Sequence, residues 1–331
     1  MIPIGEALER ARPARLFFGR GKTDIGVSRR GHDSNGECVW EINPYGSHDH
    51  EVVVLKAVDH SGRPIALIFN YGCHPSTMGT QMIGGDYAGF AQIEMKKRLG
   101  GVPAMFLQGT AGDAKTDNPQ PNSRFLFLTP TKANVDQAGA FGRRLADDIC
   151  QVLAVPMEEV TGPIRFGHST IDLPVLSAWK GANGIETEAK TDPAKPLSGP
   201  RRRMARMAHR ILESMNAHGE YKVTQKGDIY VVRIGDEFIH VGLSGEICSP
   251  IGLRLKDELR GCKVMVTGYT GPSHGYLPGQ GQISAGGYEV FTNPNRLPYS
   301  PEVEDMLVCD AMDLVQKIGP EIPSRQPKAQ T

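Results

Sequence analysis

The sequence lacks the features of a membrane-spanning or nucleic-acid-binding chain. No apolar run approaches the ~20 residues that a transmembrane helix requires. Lysine plus arginine equals aspartate plus glutamate, at 37 each, so no net field favours nucleic acid or an anionic lipid surface. The six cysteines include no CxxC pair, which argues against a zinc knuckle and requires no oxidising compartment. We therefore expect a globular chain with no nucleic-acid partner and no transmembrane segment.

Several catalytic motifs are also missing. The sequence contains no HExxH, which excludes a zinc protease site carried on one helix. The GxSxG match GPSHG, at residues 271–275, falls in a predicted glycine-rich loop and not at a strand-to-helix elbow, which argues against a serine hydrolase of the α/β type. The glycine-rich segment at residues 106–118 lacks the GKS or GKT of a phosphate-binding P-loop.

The elements that the sequence does predict mix hairpins with helices. Hairpins are expected at residues 51–71, around a glycine turn, and at residues 228–241. Other strands are predicted near residues 15–30, 102–107, 163–174 and 262–269, and helices at residues 86–99, 131–153, 250–259 and 301–318. Because no regular βαβ alternation links them, we expect a mixed α/β fold of layered sheets with hairpins and flanking helices, in a single large domain.

Four segments at predicted strand ends carry residues that bind metals or move protons. NYGCHPST holds His74 before a proline, and FLQGTAGDA is a glycine-rich turn that exposes backbone N–H groups. VGLSGE ends in Glu246. YTGPSHGYLP and the later AGGYE contribute Tyr276 and Tyr288.

Each segment also has an ordinary structural interpretation. His74 would serve as a hydrogen-bonded structural histidine, the glycine turn as a plain loop, Glu246 as a helix cap, and the tyrosines as packed aromatics. Together the residues favour metal-assisted hydrolysis, in which a histidine and a carboxylate bind a cation and tyrosines donate to a developing oxyanion. The residues alone support that reaction class and no finer one.

Taken in order, these segments resemble the neutral/alkaline non-lysosomal ceramidase family. The resemblance rests on NYGCHPSTMG, GGDYAGFA, FLQGTAGDA, LSGE, HGYLP and GGYE, and it covers roughly residues 15–290. In that family one zinc is held by two histidines, a glutamate and a tyrosine. The resemblance therefore implies zinc as cofactor, with His74, Glu246 and Tyr276 as ligands.

The same resemblance bears on five further residues. Arg29, in the SRR motif, and Tyr288, in GGYE, fall where the family stabilises the tetrahedral intermediate. Asp113, with Asp86, would orient the ligands or the water, since ligating histidines usually need such partners. Lys115 stands where the family has a serine after its Gly-Asp pair, which would alter the surroundings of the reacting carbonyl and indicates a substrate other than ceramide.

The second zinc histidine of the family lies in an HTHSGP-like segment that has no counterpart here. None of the N-terminal histidines stands in such a context: His32, His48, His50 and His60. Residues 1–12 read as the tail of an amphipathic helix. We therefore expect residues 1–320 to be a ceramidase-like catalytic domain lacking its N-terminal portion, followed by a disordered tail at residues 321–331.

The function expected from these features is zinc-dependent hydrolysis of a linear amide, a ceramide-like N-acyl compound or other small-molecule or lipid amide, by metal-activated water. Two alternatives stay open: an inactive relic or binding scaffold of the same fold, and a related hydrolase of a polar carbohydrate or peptide amide. The family is commonly secreted or surface-associated, while residues 1–12 carry no signal-peptide pattern. The sequence assigns neither a location nor an oligomeric state.

Overall fold

The computed structural model describes residues 2–78, 83–117, 132–175, 225–272, 275–291 and 298–320. The helices within these stretches are α1 (Ile2–Glu9), α2 (Asp86–Arg98), α3 (Lys132–Leu153), α4 (Ser249–Glu258), α5 (Gln280–Ala285), α6 (Tyr288–Phe291) and α7 (Val303–Lys317). The strands are β1 (Arg15–Lys22), β2 (Gly26–His32), β3 (Cys38–Asn43), β4 (Glu51–Val58), β5 (Pro64–Tyr71), β6 (Ala104–Gln108), β7 (Ala114–Thr116), β8 (Glu158–Val160), β9 (Ile164–Leu173), β10 (Gln225–Ile234), β11 (Phe238–Leu243), β12 (Glu246–Ile247), β13 (Lys263–Thr267) and β14 (Tyr276–Leu277).

The first large sheet has five strands in the order β6-β5-β4-β1-β8. β4 and β5 form the predicted antiparallel hairpin, and β6 joins β5 in parallel. The apolar run in β4 is explained by burial on both faces. Val52 and Val54 pack with side chains of α2 and α3, while Val53 and Leu55 point to the opposite side.

The second large sheet has four strands in the order β13-β11-β10-β9. β9, β10 and β11 form an antiparallel meander, and β13 joins β11 in parallel. Helices α4 and α7 cover one face and share a core with it. That core includes Val231 and Val241 from the sheet, Leu255 from α4, and Leu307 and Ala311 from α7.

The two sheets pack face to face through a third apolar cluster. Phe18, Val53 and Leu55 from the five-stranded sheet meet Phe238 and Met265 from the four-stranded sheet. The layers therefore run α2 and α3, five-stranded sheet, four-stranded sheet, α4 and α7. This arrangement confirms the predicted mixed α/β fold of layered sheets with hairpins and flanking helices in one domain.

Two small sheets complete the described structure and hold the candidate site. β2 lies between β3 and β7 in an antiparallel three-stranded sheet. β12 and β14 pair in parallel, with Glu246 opposite Tyr276. These short strands lie beyond the ends of the large sheets, so the structure adds pairing where the sequence indicated mostly loop.

The structure differs from the predictions made from the sequence at several elements. Residues 108–118 were expected to be turns, yet they include β7, and the expected loop before Tyr288 includes β14 and α5. The strands β3 and β8 were not predicted. Asp86 begins α2 as expected, but the preceding Gly85 occupies the cap position, and no side-chain cap bond forms there. Short strands of two or three residues have too little hydrophobic periodicity to be predicted locally.

Some expectations lie outside the described residues. These are the exposed excursion at residues 180–200, the arginine-rich helix at residues 201–218, His274 of the HGYLP motif and the tail at residues 321–331. At the other end, α1 forms where an amphipathic helix was expected, and Ile4 and Leu8 on it are exposed. Among the described helices, none combines the length and the apolar character needed to cross a membrane.

Candidate active site

The candidate site lies where four strands end. β5 runs parallel to β6, and β11 runs parallel to β13. The backbone N–H of Gly268, after β13, donates to the carbonyl of Gln108 at the end of β6, at 3.2 Å. The carboxyl ends of both pairs therefore meet at one edge, so the loops after all four strands can contribute side chains to one site.

Glycine allows these loops to touch. The Gly112 N–H donates to the Ile247 carbonyl at 2.8 Å, and a Cβ atom at Gly112 would lie 2.6 Å from the Glu246 carbonyl oxygen. Gly245 has φ of 92°, a left-handed conformation that glycine adopts readily. It turns the chain from β11 into β12, where Glu246 begins the short strand.

Three side chains form what we call the histidine cluster: His74, Glu246 and Tyr269. The Tyr269 hydroxyl donates to Glu246 Oε2 at 3.0 Å and lies 3.3 Å from His74 Nδ1. His74 Nε2 lies 3.6 Å from the same Glu246 oxygen. The side chains of His74 and Glu246 are 13% and 22% exposed, so the cluster faces a partly open crevice.

The His74 ring is suited to ligate a cation. Its Nε2 atom is buried and has no hydrogen-bond partner. Burial, together with the charge of Arg29, holds the pKa of His74 well below its usual value. The ring is therefore neutral at neutral pH, which is the form that binds metals.

The separation of His74 and Glu246 also fits zinc. Two ligands of a tetrahedral zinc at ~2.0–2.1 Å lie about 3.4 Å apart, which is close to the 3.6 Å between Nε2 and Oε2. In the part of the chain that the structure describes, no third histidine, cysteine, aspartate or glutamate joins this pair. The Tyr269 hydroxyl is an oxygen donor that contacts both side chains, and the Tyr276 ring borders them.

Tyr276 borders the histidine cluster through its strand pairing. β14 places it opposite Glu246, and its ring centroid lies 6.1 Å from the His74 ring and 5.6 Å from the Tyr288 ring. Burial raises the pKa of Tyr276, although the nearby Arg29 charge opposes the rise. Its hydroxyl therefore keeps its proton at neutral pH and can act as a hydrogen-bond donor.

Arg29 is enclosed by aromatic rings beside this cluster. It is 2% exposed, and its guanidinium carbon lies 4.2 Å from the Trp40 ring centre, 5.2 Å from that of Tyr276 and 5.3 Å from that of Tyr288. Burial disfavours its charge, but the carboxylate of Glu289 outweighs this and raises the pKa of Arg29. Arg29 is thus a permanent buried cation whose ring contacts add cation–π attraction.

A second group, which we call the arginine network, consists of Arg29, Arg30, Glu289, Gln282 and Asp113. Arg29 Nε donates to Glu289 Oε1 at 2.9 Å, and Arg30 Nη1 donates to the other oxygen, Oε2. Gln282 Nε2 donates to Asp113 Oδ2 at 2.6 Å. These bonds fasten α5 and α6, which carry Gln282 and Glu289, to β2 and to the turn before β7.

Asp113 holds the start of α4. Its carboxylate accepts from the Ser249 N–H at 2.7 Å and from the Ser249 hydroxyl at 2.8 Å, and burial raises its pKa. Asp86 similarly accepts from the backbone N–H groups of Met78 and Tyr87, at 2.8 and 2.7 Å. Both carboxylates stabilise backbone, and their orienting of metal ligands or water stays a prediction.

Lys115 lies next to His74. β7 pairs it with Val27 of β2, and an isolated parallel bridge joins it to His74. Lys115 is 4% exposed, and burial lowers its pKa. The charge of Arg29 also acts on Lys115 and contributes to lowering the pKa of its amine, so the two cations lie near each other.

Tyr288 is placed by α6 and by aromatic packing. Its ring meets Trp40 edge to face, with centroids 4.4 Å apart. The next residue in α6 is Glu289, so the arginine network holds Tyr288 beside Arg29.

The structure brings six of the seven predicted site residues around one crevice: Arg29, His74, Lys115, Glu246, Tyr276 and Tyr288. Asp113 lies behind them in the arginine network. Sequence reasoning missed Glu289, Trp40 and Tyr269, although two of them lie in motifs that it quoted, GGYE and YTGPSHGYLP. The signal for Glu289 was its place beside Tyr288.

The histidines considered for the missing ligand lie elsewhere. His48 Nε2 is 2.9 Å from the Tyr71 hydroxyl, and His50 Nδ1 is 3.2 Å from the Thr23 carbonyl. The two rings contact each other edge to face, at 4.6 Å. Neither ring takes part in the histidine cluster.

Comparison with known proteins relates the fold to ceramidases. No family model matches the chain. Among solved structures, it is similar to a neutral ceramidase from Pseudomonas aeruginosa, with a TM-score of 0.64 and 17% identity, over 98% of this chain and 56% of that one. It is also similar to a ceramidase described as complexed with C2, with a TM-score of 0.66 and 18% identity, over 98% of this chain and 57% of that one. The chain thus has a ceramidase-like fold and spans somewhat more than half the length of those chains.

Proposed function

We propose that this chain is a zinc-dependent hydrolase of a linear N-acyl amide, such as a ceramide-like lipid. The observation that carries the proposal is the buried His74 Nε2 atom, which has no hydrogen-bond partner and lies 3.6 Å from Glu246 Oε2. A neutral imidazole and a carboxylate at that separation match two zinc ligands. The ceramidase-like fold supports the same reaction class.

The metal would be held by His74 and Glu246, with the Tyr276 hydroxyl as the third donor from this chain. Zinc supplies Lewis acidity toward the amide carbonyl and activates a water nucleophile. His74 is held neutral by burial, so it is ready to ligate at neutral pH. Glu246 is fixed at the start of β12 by the bond from its N–H to the Gly275 carbonyl, at 2.8 Å.

Arg29 and Tyr288 would stabilise the charge that develops on the carbonyl oxygen when water adds. Arg29 is a buried cation, and the low dielectric around it strengthens its attraction for an oxyanion. A well-placed donor of this kind is worth about 3 kcal/mol in the transition state. Glu289 holds the Arg29 guanidinium in place through Nε.

Lys115 favours a second candidate substrate class. Its buried side chain, near Arg29 and on a strand bridged to His74, adds a polar and cationic element to the site. A polar carbohydrate or peptide amide would make better use of that element than a purely apolar ceramide. An inactive scaffold of the same fold remains the alternative from a different class.

Zinc stoichiometry tests the proposal. Elemental analysis of the purified chain should give about one zinc per chain, and the variant H74A should lose it. The exposed turn residue His60 provides the control, because H60A should keep the metal. A panel of N-acyl amides, with apolar and polar head groups, should then show turnover that depends on zinc.

The outcomes separate the candidates. Zinc binding with turnover of the apolar amides supports the first candidate, and turnover of the polar amides alone supports the second. Zinc binding without turnover of any amide indicates a scaffold. Absence of zinc from the wild-type chain after incubation with the metal would remove the proposed chemistry.

A further inference from the structure

Tyr269 adopts a backbone conformation that is unusual for an aromatic residue. Among the described residues, it and Asp86 are the non-glycine residues with positive φ, at 57° for Tyr269. A residue with a Cβ atom is disfavoured by about 1–2 kcal/mol in this left-handed region. Such conformations persist where the surrounding structure enforces them, and they cluster at functional sites.

The neighbouring backbone holds Tyr269 in this turn. Its N–H donates to the Gly245 carbonyl at 2.9 Å, and the N–H of Thr270 donates to the Leu243 carbonyl at 3.0 Å. Both acceptors lie at the end of β11, immediately before Glu246. The strained turn after β13 is therefore fastened to the loop that presents the glutamate.

The strained turn positions the hydroxyl group of Tyr269. The Tyr269 hydroxyl donates its proton to Glu246 Oε2 at 3.0 Å. Its oxygen then remains available as an acceptor for His74 Nδ1, 3.3 Å away. A proton on Nδ1 leaves Nε2, the atom with no partner, with its lone pair free.

We propose that Tyr269 is a positioning residue that fixes both His74 and Glu246 for the cation. Together with the Gly112 carbonyl, which also accepts from the His74 ring, it favours the tautomer in which Nε2 presents its lone pair. It also orients the Glu246 carboxylate toward the same point. This inference rests on the proposed function for the identity of the cation. Partners that orient a ligating histidine typically change metal affinity 10- to 100-fold when they are removed.

The variant Y269F tests the role because it keeps the ring and the turn and removes only the hydroxyl. Zinc affinity is measured by competition with a chelator of known affinity. We expect binding about 10- to 100-fold weaker than in the wild-type chain. Y45F is the matched control, since Tyr45 is 97% exposed and its loss of a hydroxyl should leave the affinity unchanged.

A second measurement examines the tautomer in the metal-free chain. The imidazole nitrogens of His74 are observed by NMR and assigned by their disappearance in H74A. We expect a predominantly Nδ1-protonated ring in the wild-type chain and a shift toward a mixture of tautomers in Y269F. A tyrosine that merely packed against the crevice would leave these signals unchanged.

The two measurements distinguish the failure of this inference from the failure of the proposed function. Wild-type zinc affinity in Y269F, with an unchanged His74 spectrum, overturns the positioning role. If the wild-type chain binds no zinc, the proposed function fails, and the His74 spectrum alone decides whether Tyr269 sets the tautomer. Weaker zinc binding together with the altered spectrum supports the inference.

Discussion

The arginine network and the histidine cluster lie side by side, yet they satisfy their polar groups differently. Arg29 and Glu289 each have side chains 1% exposed, and both carboxylate oxygens of Glu289 accept from an arginine. In the histidine cluster, His74 and Glu246 are partly exposed and 3.6 Å apart, and one ring nitrogen has no partner. In the network both carboxylate oxygens of Glu289 are hydrogen-bonded, whereas in the cluster one nitrogen of His74 has no hydrogen-bond partner.

This difference indicates what each region does. A buried ion pair with every oxygen used is sensitive to the loss of one member, because the partner is left charged and unpaired. A crevice with an unpartnered ring nitrogen and a carboxylate that is 22% exposed loses little when one member is replaced, and it has capacity to bind a ligand. The network therefore holds the scaffold and fixes the Arg29 cation beside the site, and the cluster is where a ligand is expected to bind.

The largest effect should follow the substitution E289Q. It leaves the charges of Arg29 and Arg30 buried without their carboxylate, and breaking a buried pair in this way typically costs about 3–5 kcal/mol. Urea unfolding followed by circular dichroism measures the loss in the free energy of unfolding. The matched variant E246Q, in the open cluster, should change it by less than about 1 kcal/mol. Equal losses in the two variants would erase the distinction between the regions.

The sequence could place candidate site residues near strand ends because strand ends and glycine turns are local signals. His74 and Glu246 follow predicted strands beside a proline or a glycine, whereas Tyr276 falls in a predicted loop. The structure brings all three to one edge, where β14 pairs Tyr276 with Glu246. The resemblance to ceramidases added Arg29 and Tyr288. The order of the motifs along the chain was enough to identify these two residues as candidates.

The partners of these residues were not predictable in the same way. Glu289 contacts Arg29 across a sequence separation of 260 residues, and no local pattern specifies such a pair. The strain at Tyr269 depends on bonds to Gly245 and Leu243, which exist only after β11 and β13 pair. The role of Asp113 in orienting the ligands or the water stays a prediction, and its buried bonds to Ser249 add a scaffold role that only packing reveals.

The pH dependence of stability, together with zinc binding, tests whether a buried imidazole nitrogen without a hydrogen-bond partner is enough to make a metal site. His48, like His74, has a buried ring nitrogen with no hydrogen-bond partner, but its other ring nitrogen lies 2.9 Å from the Tyr71 hydroxyl and it is not part of the histidine cluster. Burial, with the neighbouring charge of His50, lowers the pKa of His48 to about 4. Burial likewise lowers the pKa of His240 to about 4.

The direction in which stability changes with pH follows from these lowered pKa values. The unfolded chain binds these protons near pH 6.5 and the folded chain only near pH 4, so stability is complete above pH 6.5 and falls as the pH drops toward 4. Each pKa shift corresponds to about 3 kcal/mol in the free energy of unfolding, measured between the pH at which neither state binds the proton and the pH at which both do. Urea unfolding between pH 7 and 4 should show a smaller loss in H48Q and H240Q, while H60Q, in an exposed turn, keeps the wild-type slope. H48Q should also bind zinc as the wild-type chain does, and a loss of zinc there would contradict the assignment of the cluster.

A smaller effect is expected at the edge of the arginine network. Gln282 donates to Asp113 Oδ2 at 2.6 Å and accepts from the Gly279 N–H at 3.0 Å. The substitution Q282A removes both bonds, but Asp113 keeps its two bonds from Ser249. We expect a loss of about 1–2 kcal/mol in the free energy of unfolding. The exposed Q280A in the same helix is the control, and a loss as large as that of E289Q would mean that Gln282, not the ion pair, closes the network.

The smallest effect concerns the strained turn in the histidine cluster. Glycine usually destabilises a chain relative to alanine, because it has more freedom to lose on folding. At Tyr269, with φ of 57°, alanine retains the left-handed penalty and glycine does not. We therefore expect Y269G to be more stable than Y269A by about 1 kcal/mol, the reverse of the usual order. Urea unfolding of the two metal-free variants measures the difference, and both should lose zinc affinity, because both lack the hydroxyl. If alanine proves the more stable, the turn is not strained, and the Tyr269 hydroxyl would reach the cluster at no cost to the fold.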